Sequence, residues 1–394
     1  MKKALPMLLL TGAFSIPAHS LEFDYGGQLR VRNQHREFTF SNADRRNLTG
    51  LRARANFNIK LDNNLSFMLS PQATKNYGEL ISTTNDENDS VRNSSGDKYH
   101  SGVDIFEAYV LSKGDILSYK IGRQQLNYGD SVILGTRNWT AGGLSFDAIK
   151  LMFDIGEGQL DLAYSKISEG SDTSNTTDDA DLVILYYKAL MRKNLNLDFY
   201  ILHNNERNVL ETYNYGFRLK GDWNGFTYRT ENIVQTHQQT DTTEHNIDLE
   251  FGYKFENSLN PYVGWTQASD RYDQLYTNRH RYNGIIDVVG RRNIDSLYAG
   301  LNYKASAKWD FKFKWMNFKQ KANGFGAYNQ AVSGQINGDV TKDDIGNEFD
   351  LMVNYKKNKY ETFKLGMALF SHGDYFQGNP DDSTFIYGEY LVKF

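Results

Sequence analysis

Apolar and polar residues alternate one by one along much of the chain, and this period of two is the feature that most limits its fold. The stretch from Ile247 to Phe255 is apolar or aromatic at every odd position, and the stretch from Trp309 to Trp315 repeats the pattern. Successive side chains of a β-strand point to opposite faces, so this alternation predicts strands with one apolar and one polar face. No stretch combines helical periodicity with convincing caps. The sequence therefore predicts an all-β protein.

The composition narrows this class further. The chain of 394 residues contains 26 Tyr and 24 Phe, yet 23% of its residues are charged. No run of about 20 apolar residues follows the first twenty positions, which excludes a helical membrane protein. Only every second residue of a transmembrane strand faces lipid, so an outer-membrane barrel has this mixture. The absence of cysteine excludes disulfide scaffolds, thiol nucleophiles and Cys-ligated zinc.

The first twenty residues have the pattern of a secretory signal peptide. Lys2 and Lys3 precede an apolar stretch from Ala4 to Ile16, and small residues follow up to Ser20. The apolar stretch is too short for a membrane anchor, because it could not span ~30 Å of hydrocarbon. We therefore expect a signal peptide at residues 1–20 and a single outer-membrane β-barrel domain at residues 21–394.

The connections between the alternating runs indicate how the strands are arranged. Short polar turns, such as 62–64, 156–158 and 357–359, alternate with longer polar loops, such as 76–100, 169–179, 270–292, 320–344 and 373–383. Short periplasmic turns and long extracellular loops are typical of outer-membrane barrels. Counting the runs predicts a transmembrane antiparallel β-barrel of about 18 strands. No separate plug domain is predicted, because the first alternating run begins at Phe23.

The end of the chain carries an independent signal. Ile386, Tyr390, Val392 and Phe394 fall on one face of the last predicted strand. A terminal aromatic strand resembles the signal that the outer-membrane assembly machinery recognises. The alternative is an ordinary C-terminal strand of a soluble β-protein. We expect the assembly machinery, outer-membrane lipid and lipopolysaccharide to be partners of the chain.

Placing the apolar residues against lipid turns many charged residues toward the lumen. A charge on the lipid face costs ~2–4 kcal/mol at the midplane, so these side chains are expected in a wet pore. Basic residues outnumber acidic ones in this set, although the whole chain has a net charge of -4, and such a lumen favours anions. The predicted pore-lining residues of these strands are Arg30, Arg32, Arg52, Arg54, Lys60, Glu107, Arg218, Arg229, Glu231, Lys312, Lys314, Glu348 and Asp350.

One predicted strand changes its parity. Apolar residues occupy odd positions up to Ile121, but Leu126 and Tyr128 occupy even ones. A β-bulge near Gly122 would explain the change and would turn Arg123 and Gln125 inward. We interpret this as a binding constriction, with a purely structural bulge as the alternative.

Several motifs resemble the alginate-export family of outer-membrane barrels. They are Ile121-Gly122-Arg123-Gln124, Asn127-Tyr128-Gly129-Asp130, Trp139, and Phe146-Asp147-Ala148-Ile149-Lys150-Leu151, where Ala148 replaces the usual glycine. Two later segments, His280 to Asp287 and Gly346 to Leu351, are also similar. The resemblance implies an eighteen-stranded barrel, usually monomeric, with an electropositive constriction that passes a polyuronate outward.

The expected function is a passive outer-membrane channel for anionic solutes, including anionic saccharides or an alginate-like polysaccharide for export. The alternatives are an uptake porin for small anions, a barrel enzyme, or an adhesin. No catalytic set, cofactor motif, metal quartet or nucleic-acid module is predicted. The loop from Ala322 to Gly338 could bind a surface or fold into the pore as a gate.

Overall fold

The protein is a β-barrel in which nearly every regular element is a strand. The computed structural model describes residues 21–40, 44–81, 102–168, 180–206, 210–330, 332–378 and 380–394. The expected signal peptide, the predicted loop at 169–179 and most of that at 76–100 lie outside these residues. The strands are β1 (Glu22–Phe38), β2 (Asp44–Lys60), β3 (Leu65–Ile81), β4 (Gly102–Ser112), β5 (Leu117–Gln124), β6 (Phe146–Ile155), β7 (Gly158–Ser168), β8 (Ala180–Arg192), β9 (Leu195–Glu206), β10 (Leu210–Trp223), β11 (Phe226–His237), β12 (Thr242–Tyr253), β13 (Leu259–Ala268), β14 (Ile294–Tyr303), β15 (Trp309–Gln320), β16 (Asp344–Lys356), β17 (Glu361–His372) and β18 (Ser383–Lys393). One short helix, α1 (Arg279–Tyr282), interrupts this series. Within the described ranges, no helix is long and apolar enough to cross a membrane.

The eighteen strands close into one antiparallel barrel. Each strand pairs with its neighbours in sequence, and β1 pairs with both β2 and β18. At the seam, Gln28 lies opposite Lys393. Phe394 extends the seam, because its backbone N–H donates to the Gly27 carbonyl at 3.1 Å and its carbonyl accepts from Gly27 at 2.9 Å. The predicted all-β barrel of eighteen strands is confirmed.

The outer face carries the apolar half of the alternating pattern. Phe251, near the end of β12, is 57% exposed, and Phe313, within β15, is 44% exposed. Leaving apolar surface in water costs about 25 cal/mol per Å², and hydrocarbon removes that cost. The period-two sequence therefore builds a wall with an outer surface suited to lipid.

The connections differ between the two ends of the barrel. At one end, which we call the short-turn end, eight connections within the described residues are two to five residues long. At the opposite end, the long-loop end, three connections exceed twenty residues: 125–145, 269–293 and 321–343. We call residues 125–145 the inner segment, because they fold into the lumen.

The inner segment places apolar residues inside the barrel. Leu126 and Val132 are buried and belong to one cluster with Leu182 and Ile184, which face inward from β8. Leu134 forms an isolated bridge with Tyr276 of the connection 269–293. Near the long-loop end, apolar residues therefore occupy the lumen as well as charged ones. Burying apolar segments inside the barrel requires an apolar wall beside them.

Candidate functional site in the lumen

Four arginines form a ladder on the inner wall of β1 and β2. Arg30 lies directly opposite Arg52 across the two strands, and Arg32 and Arg54 occupy inward positions beside them. Each of the four residues is at most 7% exposed. We call Arg30, Arg32, Arg52 and Arg54 the arginine ladder. All four were predicted from parity, and the fold brings them together.

The arginine ladder holds the inner segment by its backbone. Arg30 donates from Nη1 to the Asn138 carbonyl at 2.7 Å and from Nη2 to the Thr140 carbonyl at 2.8 Å. Arg32 donates to the Trp139 carbonyl at 2.6 Å, and its guanidinium lies 3.6 Å from the centre of the Trp139 ring. These partners are neutral, so they satisfy hydrogen bonds without cancelling the positive charge.

The remaining contacts of the ladder continue this pattern. Arg54 donates to the Gln72 side-chain oxygen at 2.8 Å and lies over the Phe106 ring. Gln72 in turn donates to the Gly142 carbonyl at 2.8 Å. Among the ion pairs of the described residues, Glu389 is the carboxylate closest to the arginine ladder. It lies 3.5 Å from Arg32 and 4.0 Å from Arg30. Glu389 thus pairs with two of the four buried guanidinium groups, Arg30 and Arg32.

A second set of charges holds the inner segment from the opposite wall. Asp130 accepts from Arg218 at 3.3 Å and from Lys220 at 2.9 Å, and its carboxylate lies 4.0 Å from Arg229. We call Asp130, Arg218, Lys220 and Arg229 the Asp130 cluster. Arg218 also donates to Asp198 at 2.6 Å. Arg229 also lies 3.5 Å from Glu250, so three cations face three carboxylates.

The electrostatics of the Asp130 cluster keep this acid ionised. Burial alone raises the pKa of the Asp130 carboxyl, but Arg218 and Lys220 outweigh burial and bring the pKa down to about 2. The backbone N–H of Asp130 donates to Glu231 at 3.2 Å, and Tyr200 donates to the same carboxylate at 3.0 Å. The predicted inward residues Arg218, Arg229 and Glu231 therefore fix the inner segment.

The connection 269–293 is also tied to the wall. Lys314 donates to the Tyr282 carbonyl at 2.8 Å, and Glu348 accepts from the Ile286 backbone N–H at 3.0 Å. Arg291 reaches down to Asp248 at 2.5 Å, where both side chains are almost fully buried. Asp350 is buried as well. The predicted lumen residues Lys314, Glu348 and Asp350 thus lie inside the barrel beneath a folded connection.

A cavity of about 1310 Å³ extends from the inner segment toward the short-turn end. Trp139, His280 and Tyr282 line its inner part. Eleven lysines and two arginines line it against four carboxylates. The lysines are Lys193, Lys220, Lys254, Lys304, Lys308, Lys312, Lys314, Lys356, Lys359, Lys364 and Lys393. We call this space the lysine vestibule.

Arg123 does not lie where the parity argument put it. It lies opposite Asp147 in the β5–β6 ladder and makes two hydrogen bonds to it, at 2.8 and 2.7 Å. Asp147 is exposed and shares the outer face with Ile149. Arg123 is thus on the outer face, and its prediction as a lumen residue is wrong. The wall keeps its alternation through Gln124, and the chain then leaves the wall, which is why Leu126 and Tyr128 changed parity.

The other predicted residues occupy the ends of the lumen wall. Gln125 begins the inner segment and donates from its backbone N–H to Glu107 at 3.2 Å. Lys60 lies at the short-turn end, where it pairs with Glu22 at 3.0 Å and Asp24 at 3.2 Å. Lys312 lines the lysine vestibule. Within the described residues, no group of three or more His, Asp or Glu side chains is placed to hold a metal ion.

Sequence reasoning missed three residues that organise the site. Asp130 and Gln72 anchor the inner segment, and Glu389 is the acid beside the arginine ladder. Parity could have found Glu389, because it alternates with the outward residues Gly388 and Tyr390 on the last strand. Nothing in the local pattern shows that Asp130 reaches β10, because that contact depends on how the connection folds.

The fold and this lumen define an outer-membrane β-barrel channel. The solved structures to which the chain is similar include Acinetobacter baumannii OccAB4, at 12% identity and a TM-score of 0.66, covering 96% of this chain and 100% of that one. A. baumannii OccAB1 matches at 13% identity and a TM-score of 0.65 over 94% and 96% of the two chains. Pseudomonas aeruginosa OccK11 (OpdR) matches at 10% identity and a TM-score of 0.63, over 94% of this chain and 96% of that one. No curated protein sequence matches the chain.

The family follows from the sequence itself. The profile of the alginate export family matches residues 21–386. The chain belongs to this alginate export family, and the Gram-negative outer membrane is its location. The resemblance inferred from the motifs is confirmed.

Proposed function

We propose that this chain is a passive channel selective for anionic solutes. The observation that carries the proposal is the lysine vestibule, where thirteen cationic side chains face four carboxylates. Outer-membrane barrels usually have their short turns in the periplasm, so the vestibule would open on the periplasmic side. Anions would be concentrated there before they reach the constriction.

The solute class that fits best is an anionic saccharide. Membership of the alginate export family favours a carboxylated polysaccharide, and guanidinium forks suit carboxylates. The inner segment and the cavity of about 1310 Å³ favour a second candidate, the uptake of small anions, because the lumen is narrowed by folded chain. We propose a monomer without catalytic activity, processed at residues 1–20 and assembled through its C-terminal strand as one domain, 21–394. Its neighbours would be lipid and lipopolysaccharide.

The test is the reversal potential of the purified protein in a planar bilayer under a KCl gradient. We expect a preference for chloride, and Lys304→Glu/Lys308→Glu/Lys312→Glu should reduce it several-fold. Arg123→Gln on the outer face is the matched control and should leave selectivity unchanged. Cation selectivity of the unaltered protein would refute the proposal. Block of the current by oligouronates without their passage would favour the small-anion candidate.

A further inference from the structure

The part of the inner segment on the arginine ladder is a small closed loop. Residues 138–143, which we call the strap, are flanked by Thr136 and Leu144, and the Leu144 N–H donates to the Thr136 carbonyl at 2.8 Å. Just before the strap, Arg137 donates to the Leu275 carbonyl at 2.8 Å. The base of the strap is therefore closed by its own hydrogen bond and attached to the connection 269–293 independently of the arginine ladder.

The strap is held mostly by bonds from cations to neutral carbonyls. Arg30 and Arg32 together bind the carbonyls of three consecutive residues, 138–140. Among the described residues, Nε of Arg52 has no hydrogen-bond partner, and Nη1 of Arg32 makes no hydrogen bond but lies 3.5 Å from the Glu389 carboxylate. Buried cations without compensating anions are costly. The ladder thus has donors and positive charge that the strap leaves unused.

A carboxylate would satisfy these groups better than the strap does. A carboxylate brings a full negative charge to the guanidinium, which a backbone carbonyl does not, and it binds a guanidinium fork with two parallel bonds. Each guanidinium that turns to a carboxylate releases a strap carbonyl. The strap also separates the ladder from the lysine vestibule, since Trp139 contacts Arg32 and lines that cavity.

We propose that the strap is a gate latched by the arginine ladder and released by carboxylate ligands. Besides the bonds of Arg30 and Arg32, Nη1 of Arg52 donates to the Thr140 and Ala141 carbonyls at 3.4 and 3.5 Å. An anion arriving through the lysine vestibule exchanges for the strap carbonyls on these three arginines, and the strap swings away from the β1–β2 wall. This inference rests on the proposed anion channel and adds that the anion opens its own path.

The absence of cysteine allows strap movement to be measured directly. A single Ala141→Cys change, at a half-buried position of the strap, would report exposure through its rate of reaction with N-ethylmaleimide. We expect sodium succinate to raise this rate at least tenfold over sodium chloride at equal ionic strength. Exchange of sodium for potassium is the control and should have no effect.

A second variant tests whether the strap is held by the guanidinium forks or only by their positive charge. Adding Arg30→Lys/Arg52→Lys keeps both charges but removes the forks that reach two carbonyls, so we expect fast labelling without succinate. Arg123→Lys is the matched control on the outer face. If neither succinate nor the lysine variant changes the labelling rate, the latch is wrong while the anion channel stands. If only the lysine variant changes it, release by carboxylates is wrong. If the unaltered protein shows no anion selectivity, the proposed function is refuted instead.

Discussion

The arginine ladder and the Asp130 cluster hold the same inner segment from opposite walls, and they do so with different chemistry. The Asp130 cluster matches cations with carboxylates, Asp130 and Asp198 among them. The arginine ladder matches cations mainly with backbone carbonyls. A balanced ion cluster is costly to separate, whereas a cation on a neutral dipole can exchange it for an anion. The comparison indicates one permanent anchor and one exchangeable contact.

The largest expected effect comes from breaking the Asp130 cluster, the permanent anchor of the inner segment. Asp130→Asn removes the charge shared by Arg218, Lys220 and Arg229, and breaking a buried ion pair costs ~3–5 kcal/mol. We expect the free energy of unfolding in detergent, measured by tryptophan fluorescence, to fall by this amount. The bilayer conductance should also be permanently higher. Asp104→Asn, at an exposed acid, is the control. A variant as stable and as closed as the unaltered protein would remove the distinction between anchor and latch.

The pH dependence of the anchor follows from the same acid. The pKa of Asp130 is lowered to about 2 from an unfolded value of about 3.9. Its stabilisation is therefore complete above about pH 4 and is lost as the pH falls from there toward 2. We expect conductance to rise below about pH 4, with no such rise in Asp130→Asn. If the rise in conductance has its midpoint near pH 6, Asp130 is not the group responsible for it.

A smaller effect is expected from the ring that supports the latch. Trp139→Leu removes the contact with the Arg32 guanidinium and the stacking on His280, whose ring centre is 3.5 Å away. A cation–π contact of ~1 kcal/mol corresponds to roughly a fivefold change in the ratio of open to closed strap. The Ala141→Cys labelling rate should rise by about this factor. Trp265→Leu on the outer face should leave the rate unchanged, and an equal rise there would mean that the barrel has loosened generally.

The smallest effect is expected at the short-turn end of the lumen. Lys60 pairs with Glu22 and Asp24, but all three side chains are well exposed, and such pairs contribute little. Lys60→Gln should change neither the strap labelling rate nor the unfolding midpoint. A clear change in either would show that the short-turn rim takes part in holding the strap.

The wall of the barrel was predictable from sequence because each strand repeats a local rule. Alternation around Ile247 and Trp309 fixes which side chains face out, and the same parity places the arginine ladder inward. The interior was not predictable in the same way. Arg123 was misplaced because Leu126 and Tyr128 were read as part of a strand, although they lie in a connection that folds back into the lumen.

One local signal did indicate this filled interior. The run Leu182-Val183-Ile184-Leu185 in β8 is apolar on both faces. Continuous apolar runs are typical of strands buried on both sides, and here the second side is the inner segment. The Asp130 contacts join residues about ninety positions apart, so no pattern within one strand could reveal them.

The seam between β1 and β18 has a consequence for how solutes cross. In hydrocarbon, each unpaired backbone group costs several kcal/mol, and the seam pairs residues from Gln28–Lys393 to Glu37–Thr384 without interruption. A solute therefore has no sideways exit into the bilayer. Solutes that cross through the lumen therefore move along the barrel axis.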